Sequence, residues 1–412
     1  MRSPILRLPL VLPLALALGA CGTTVHGVRA AAAAPAAFEL PRPTGRHQAI
    51  GTTELHLVDP GRPDPWVPGR TRELMVSVFY PAARPSGPAA PYLRPGVAKV
   101  LSAADALGVF KAGTVDWASA RTHAAESAPA DVRHGARPVV LYSPGFGVPR
   151  ALGTTLAEEL VTRGYVVVTV DHTYETAPVE FPGGRVEAQR LPGQGPERLK
   201  TALAARVRDT RLVLDRLAGL RGGRNPDAEG RALPRGLGRT LDLSRVGMAG
   251  HSAGGIEAAE AMRTDRRLDA GIDMDGTLQY AENDLVQVAR TGLDRPFMLM
   301  GAATGGSPQT HRTSPSWASF WRHSTGWKRD LNVPAASHYS YTDVQAVLPA
   351  LDEKLDIPAQ DRADLIGTVD PDRMTASVRA YVTAFFDQAL RGRHRPVLDR
   401  PSRRYPDVRF IR

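Results

Sequence analysis

The sequence predicts an α/β fold with a mostly parallel central sheet, helices on both faces and an antiparallel N-terminal edge. Apolar runs at 138–142 and 165–170 are typical of strands that are buried on both faces. Segments with the apolar spacing of helices follow these runs at 152–163 and 198–220. Strands that alternate with helices pair in parallel, so the regular alternation from Arg137 onward indicates one such sheet.

The remaining elements extend this pattern toward both ends of the chain. Strands at 51–57 and 74–80 alternate between apolar and polar residues, which favours an antiparallel edge. A helical excursion at about 94–125 follows, and it could cap a site, lie against lipid or pack on the domain edge. The later elements are expected to be strands at 242–248, 268–274, 296–300 and 331–333 and a closing amphipathic helix at 374–390.

One turn carries the main chemical signal of the sequence. Gly250-His251-Ser252-Ala253-Gly254 lies between an apolar strand and a helix of small residues. This is the pattern of a nucleophile elbow, a strained strand-to-helix turn that lifts a serine hydroxyl clear of a sheet. Glycines are needed two residues to either side because a Cβ there would crowd the crossing. The alternative is a Gly/Ser loop between two core elements.

A serine needs a base to take its proton and an acid to orient that base. In folds with this elbow, the acid and then the histidine follow the serine, each in a loop after a strand. Asp275 stands at the end of the next strand, just before a glycine, and is the expected acid. Asp273, on the same strand face, stays open as an alternative.

The base is expected to be His338, which follows the last short strand and precedes a helical segment. A buried histidine with satisfied hydrogen bonds is the alternative role for it. His311 and His323 lie in a polar loop and His394 lies in the tail, so these three are expected at the surface.

Acyl transfer also needs donors for the oxyanion that forms on attack. The backbone N–H of Ala253 directly follows the serine and is one candidate. The loop Ser143-Pro144-Gly145-Phe146-Gly147, after an earlier strand, should supply the other, and the N–H of Phe146 is the candidate there. His251 and His172 lie near the same sheet edge, where pocket lining and core packing are equally compatible with the sequence.

Composition describes an ordinary globular protein. The 412 residues are 42% hydrophobic and 23% charged, with a formal net charge of +10. The positive charge is mostly arginine scattered among acids, without a basic run interleaved with aromatic residues, so the sequence does not favour a nucleic-acid partner. It contains neither metal-ligand spacing nor a phosphate-binding loop, so no cofactor is expected. No obligate protein partner is evident.

The N-terminus predicts a targeting segment. Residues 1–20 combine a basic start, Arg2 and Arg7, with an apolar run that is too short to cross a bilayer, as in signal peptides. Cys21, the single cysteine, follows at once and resembles the lipobox cysteine of bacterial lipoproteins, which becomes lipidated. A membrane-anchored extracytoplasmic lipoprotein is therefore expected, and a freely secreted enzyme is the alternative.

These patterns divide the chain into four parts. Residues 1–20 are the signal peptide, and residues 21–44 are the lipidated cysteine with a flexible tether rich in Ala, Pro and Gly. Residues 45–395 form the catalytic domain, with a loop insertion at about 221–240. Residues 396–412 are a basic tail without a core pattern.

The chain resembles the plasma-type platelet-activating factor acetylhydrolase family of α/β-hydrolases. The motifs that carry the resemblance are Leu74-Met75-Val76, Val140-Leu141-Tyr142-Ser143-Pro144-Gly145-Phe146-Gly147, Gly250-His251-Ser252-Ala253-Gly254-Gly255, Gly271-Ile272-Asp273-Met274-Asp275 and Ser337-His338. The resemblance implies that Ser252, Asp275 and His338 are a catalytic triad and that Phe146 and Ala253 are the oxyanion donors. It also implies calcium-independent cleavage of short or oxidised acyl chains from phospholipids.

The chain departs from that family at Pro144, where a histidine is usual. Ser-Pro-Gly-aromatic is also the pattern of bacterial cutinase-like polyester hydrolases and related lipases. The sequence therefore predicts a serine carboxylic ester hydrolase that acts on short-chain esters, with a lipase or polyester hydrolase as the alternative. A non-catalytic binding lipoprotein is a further alternative. A serine peptidase of similar fold would have a propeller-like repeat before this domain, which the sequence lacks.

Overall fold

The computed structural model describes residues 34–47, 49–304 and 306–412. Within it, Pro35–Arg412 form one compact unit. The predicted signal peptide, Cys21 and most of the predicted tether lie outside the described residues. Among the residues that are described, no helix is both long and apolar enough to cross a membrane.

A large sheet runs through the molecule. Across the described residues it has eleven strands, in the spatial order β11-β10-β9-β8-β7-β5-β6-β2-β1-β4-β3. The strands are β1 Ile50–Pro63, β2 Thr71–Pro81, β3 Ala89–Pro91, β4 Arg121–Glu126, β5 Arg137–Ser143, β6 Val166–Asp171, β7 Leu241–His251, β8 Ala270–Met274, β9 Phe297–Gly301, β10 Lys328–Asn332 and β11 Arg409–Phe410.

The strands from β6 across to β10 are parallel, which confirms the predicted sheet. On the N-terminal side, β2 is antiparallel to both β6 and β1, as expected. That edge extends further than predicted, because β4 adds in parallel to β1 and β3 closes the sheet beyond it. At the opposite edge, β11 pairs antiparallel with β10.

Helices cover both faces of the sheet. They are α1 Pro95–Ala103, α2 Thr154–Thr162, α3 Pro196–Arg221, α4 Ala253–Thr264, α5 Gln287–Thr291, α6 Pro315–His323, α7 Val344–Leu355, α8 Ala359–Ile366 and α9 Pro371–Arg391. Side chains alternate along each strand, so one strand serves both cores. Val139 and Leu141 of β5 pack with α3 and α4, whereas Val140 and Tyr142 pack with α2 and α9.

The predicted helical excursion at about 94–125 is only partly helical. α1 ends at Ala103, and the segment finishes in strand β4 instead of a helix. Buried aromatic residues hold it in a further core, together with part of α7 and the chain before β1. Phe38, expected in a flexible tether, is 6% exposed and packs edge-on to Trp117 at 5.5 Å.

Two other segments are more integrated than the sequence suggests. In the predicted loop insertion, buried Asp227 accepts a hydrogen bond from the His56 N–H of β1 at 3.0 Å, and Leu237 is also buried. In the C-terminal segment, expected to lack a core pattern, Leu398 and Val408 are buried against the α2–α9 face of the sheet. The residues after α9 therefore belong to the folded domain.

Candidate active site

The predicted strand, turn and helix form around Ser252. β7 ends at His251, α4 begins at Ala253, and Ser252 lies between them with φ 55° and ψ −120°, a strained conformation for a residue with a side chain. A Cβ on Gly250 would lie 2.1 Å from the carbonyl carbon of Gly254, and a Cβ on Gly254 would lie 2.0 Å from the carbonyl oxygen of Ser143. The two glycines therefore let α4 start directly against the end of β5.

Asp275 begins the loop after β8 and is almost completely buried. Each of its carboxylate oxygens has a partner: Oδ1 accepts from the Ala302 N–H at 2.8 Å, and Oδ2 lies 2.7 Å from Nδ1 of His338. The carboxylate therefore holds the imidazole with Nδ1 as the donor. This leaves Nε2 to act as a proton acceptor.

Asp273, the alternative acid, lies in a different environment. Its side chain is fully buried under α4, and its Oδ1 accepts from the N–H of Gly276 at 2.8 Å. Burial, with the charge of Asp275 adding to it, raises the pKa of Asp273 well above its usual value. The histidine contact thus favours Asp275 over Asp273 as the acid.

His338 opens a single helical turn, His338–Tyr341, after β10. Ser337 and Ser340 cap that turn reciprocally, and this fixes the backbone of the histidine. The side chain is 36% exposed, while that of Asp275 is only 2% exposed, so the imidazole reaches solvent and the carboxylate does not.

His251 links the elbow to the His338 turn. The two rings lie 4.5 Å apart, and Nε2 of His251 donates to the carbonyl oxygen of His338 at 2.9 Å. Burial lowers the pKa of His251 well below its usual value, and the nearby His338 lowers it further, so His251 is neutral. Because His251 directly precedes Ser252, this contact brings the predicted base to the elbow.

The three other histidines that follow Ser252 in the chain have partners of their own. His323 bonds through Nδ1 to the Ser319 carbonyl of its own helix at 2.8 Å. His394 is exposed and pairs with Asp399. His311 was expected at the surface, but its side chain is only 11% exposed; it contacts Asp330 at 2.7 Å and stacks on Trp321. The prediction for His311 was wrong because a polar loop can still pack against a strand.

The predicted oxyanion loop follows β5 and lies against the start of α4. Ala253 is the first residue of α4, so helix geometry gives its N–H no intrahelical acceptor. In the loop, the Val148 N–H donates to the Gly145 carbonyl at 3.1 Å, and Gly147 takes a positive φ of 75°. The side chain of Phe146 is half-buried.

A buried charged network behind this loop could not be found from the sequence. The Ser143 hydroxyl donates to Glu257 of α4 at 2.5 Å and lies 3.0 Å from Nε2 of His172. His172 also contacts Asp209 of α3 at 2.9 Å. Burial opposes the charged imidazole, but Glu257 and Asp209 raise the pKa of His172 above its usual value. His172 is therefore a core residue behind the loop.

Within the described residues, no group of three or more His, Cys, Asp or Glu side chains is arranged to hold a metal ion. The groups that this site brings together are a strained serine, an oriented imidazole and backbone N–H donors.

Comparison with known proteins places the chain among esterases. The family model described as platelet-activating factor acetylhydrolase, isoform II, matches residues 69–187, which include the predicted oxyanion loop. A protein of Arthroderma benhamiae named probable 1-alkyl-2-acetylglycerophosphocholine esterase is 29% identical over 282 residues, 66% of this chain. The chain spans about two thirds, 66%, of that relative's length.

A solved structure extends the likeness over nearly the whole chain. It is a ferulic acid esterase from Streptomyces cinnamoneus, 41% identical, with a TM-score of 0.74. The match covers 92% of this chain and 100% of that one.

Proposed function

Because this chain is an esterase of the platelet-activating factor acetylhydrolase family of α/β-hydrolases, we propose that it cleaves carboxylic esters through an acyl-enzyme on Ser252. The observation that supports this most directly is the 2.7 Å contact between Asp275 and His338, made beside the strained elbow. An oriented imidazole next to a strained serine is the arrangement that nucleophilic ester cleavage requires.

In this mechanism His338 Nε2 takes the proton as the Ser252 hydroxyl oxygen attacks the ester carbonyl carbon. The N–H groups of Phe146 and Ala253 stabilise the oxyanion. His338 then gives the proton to the leaving alcohol oxygen as the carbon–oxygen bond breaks. Water, deprotonated by the same imidazole, attacks the acyl-enzyme and releases the acid and the free Ser252 hydroxyl. Asp275 keeps Nδ1 protonated throughout.

For the substrate, we propose short-chain acyl esters of phospholipids. The family match and the name of the Arthroderma benhamiae relative support this choice. The second candidate is an aryl or polymer ester. It is favoured by the 41% identity to the ferulic acid esterase and by the Ser143-Pro144-Gly145-Phe146 motif.

The test compares nitrophenyl acetate and nitrophenyl palmitate, a 2-acetyl phospholipid, methyl ferulate and polyester film. We expect turnover of the acetyl esters to exceed that of the long-chain ester, and Ser252→Ala to lower kcat on the order of a millionfold. A Ser252→Ala variant that kept most of its activity would overturn the acyl-enzyme. A preference for ferulate, palmitate or film would move the substrate to the second candidate.

Labelling of the serine distinguishes an esterase from a binding lipoprotein that has no catalytic activity. We expect a fluorophosphonate probe to modify the wild-type protein and not Ser252→Ala, because only an activated serine reacts readily. Absence of labelling in folded wild-type protein would favour the binding role.

For location, we propose an extracytoplasmic protein that Cys21 anchors to the membrane through a lipid. The basic start and apolar run before the single cysteine support the proposal. In a bacterial host, Cys21→Ala should move esterase activity from the membrane fraction to the medium. Activity already in the medium in wild type would instead indicate secretion.

A further inference from the structure

Arg206 of α3 is a fully buried arginine behind the oxyanion loop. Its guanidinium makes polar contacts on every side. Nη1 donates to the Pro144 carbonyl at 2.8 Å and Nη2 donates to the Gly145 carbonyl at 3.1 Å. Nε and Nη2 also bind Glu175, and Nη1 lies 3.3 Å from Glu257. Two consecutive carbonyls of the loop thus lie on one rigid fork of donors.

These bonds fix the direction of a peptide that matters for the oxyanion. In a trans peptide, the carbonyl of one residue and the N–H of the next point in opposite directions. The bond between Gly145 and Phe146 is trans. Because the Gly145 carbonyl points into the protein toward Arg206, the Phe146 N–H points away from Arg206.

The loop needs such a constraint. Gly145 and Gly147 lack a Cβ, and glycine peptides rotate more readily than others. Without Arg206, the remaining hydrogen bond on the Gly145 carbonyl is the one from the Val148 N–H at 3.1 Å, which belongs to the same short turn.

The guanidinium is itself anchored to the elbow helix. Glu257 lies on α4, one turn after Ser252, and it accepts both the Ser143 hydroxyl at 2.5 Å and the Thr210 hydroxyl at 2.6 Å. Arg206 therefore joins the loop that should hold one oxyanion donor to the helix that holds the other. A buried ion pair with this geometry fixes one arrangement of the backbone.

We propose that Arg206 is a positioning residue for the oxyanion hole: it orients the Gly145–Phe146 peptide so that the Phe146 N–H faces the reacting carbonyl. This inference rests on the proposed acyl-enzyme function. Arg206 does not touch the substrate, and it acts through the peptide that it holds.

The test uses Arg206→Lys, which keeps the buried charge but replaces the planar fork with a single ammonium group. Removing one oxyanion donor lowers kcat about 100- to 1000-fold in well-studied hydrolases. A misoriented donor should give part of that effect, so we expect kcat/KM for nitrophenyl acetate to fall roughly 10- to 100-fold.

The decisive readout is the ratio of kcat/KM for nitrophenyl acetate to that for its thionoacetate, in which sulfur replaces the carbonyl oxygen. Sulfur is a weaker acceptor, so an intact oxyanion hole favours the oxygen ester. We expect this ratio to fall in Arg206→Lys by about the factor lost in kcat/KM. A general loss of packing would slow both esters alike and leave the ratio unchanged.

Arg379→Lys is the matched control. Arg379 is also buried and also donates to two consecutive carbonyls, those of Pro41 and Arg42, both at 3.0 Å, but these lie in the N-terminal segment. We expect its ester ratio to equal that of wild type. If Arg206→Lys does not fold, Glu175→Gln keeps the arginine, loosens its anchor and gives the same readout, with a smaller fall in the ratio.

The positioning role would be overturned by an unchanged ratio in folded Arg206→Lys. If Arg206→Lys does not fold, an unchanged ratio in Glu175→Gln would overturn it. An equal fall of the ratio in Arg379→Lys would also overturn it. Ser252→Ala separates this failure from that of the proposed function. If Ser252→Ala is inactive while the ratio is unchanged, only the role of Arg206 is wrong. If Ser252→Ala stays active, the acyl-enzyme itself is wrong.

Discussion

Replacing Asp275 by asparagine should invert the hydrogen bonding of His338 without changing the shape of the site. The Ala302 N–H needs an acceptor at the Oδ1 position, so the amide oxygen must lie there. The opposite orientation would set two donors against each other, at a cost of about 1–3 kcal/mol. The amide nitrogen of Asp275→Asn therefore faces Nδ1 of His338.

An NH₂ group there can only donate, so Nδ1 becomes the acceptor and the proton moves to Nε2. An imidazole with its proton on Nε2 cannot take the proton of Ser252. The equivalent change in serine hydrolases lowers kcat by about ten-thousandfold. We expect a loss of that order for Asp275→Asn, measured with nitrophenyl acetate at neutral pH.

Asp273→Asn is the matched control on the same strand. Because burial raises the pKa of the Asp273 carboxyl well above its usual value, the group is already disposed to be neutral, and an amide replaces it at little cost. We expect its activity to stay close to that of wild type. A less than tenfold loss in Asp275→Asn, or an equal loss in both variants, would refute the assignment of the acid.

Two further predictions concern packing and pH. We expect Gly254→Ala to lower the free energy of unfolding by more than about 1–3 kcal/mol and to abolish most activity, because its Cβ would lie 2.0 Å from the rigid carbonyl of Ser143. Gly61→Ala is the control, since a Cβ there meets open space. Equal urea midpoints for the two variants would contradict this prediction. Burial raises the pKa of Asp343 to about 6, so the folded protein binds this proton more tightly than the unfolded chain does. The protonated carboxyl therefore stabilises the fold fully below about pH 4, and this stabilisation is lost as the pH rises through about 6. Relative to Asp343→Asn, wild type should lose roughly 3 kcal/mol over that range in urea unfolding, and parallel pH profiles would contradict this.

The sequence was sufficient where local chemistry determines structure. The elbow around Ser252 needs glycines at fixed positions, and the apolar runs of β5 and β6 can lie only inside a sheet. The places of Asp275 and His338 follow from chain order, because each parallel strand ends at the same edge of the sheet. The contact of His338 with Asp275 instead of Asp273 depended on side-chain geometry that the sequence left open.

The sequence was insufficient where tertiary packing reverses the usual behaviour of a residue type. Arg206 and Asp209 lie three residues apart on α3, as in a solvated helix face, yet both are completely buried. Oppositely charged groups on other segments make that burial tolerable, such as Glu175 for Arg206 and Arg72 for Asp209. Similarly, the two residues of β11 are too few to show a strand period, so their pairing with β10 was not predictable.

Hydrogen bonds to the sheet offset the backbone strain at Ser252 and Asp275. Ser252 and Asp275 both have positive φ, 55° and 62°, and each such residue costs about 1–3 kcal/mol. Each is fixed by its own N–H to the neighbouring strand end: Ser252 donates to the Met274 carbonyl at 2.8 Å, and Asp275 donates to the Met300 carbonyl at 2.9 Å. The first residue after each strand is thus hydrogen-bonded to the end of the neighbouring strand. Because successive parallel strands repeat this step, Ser252 and Asp275 are held in register by the same hydrogen-bond ladder that forms the core.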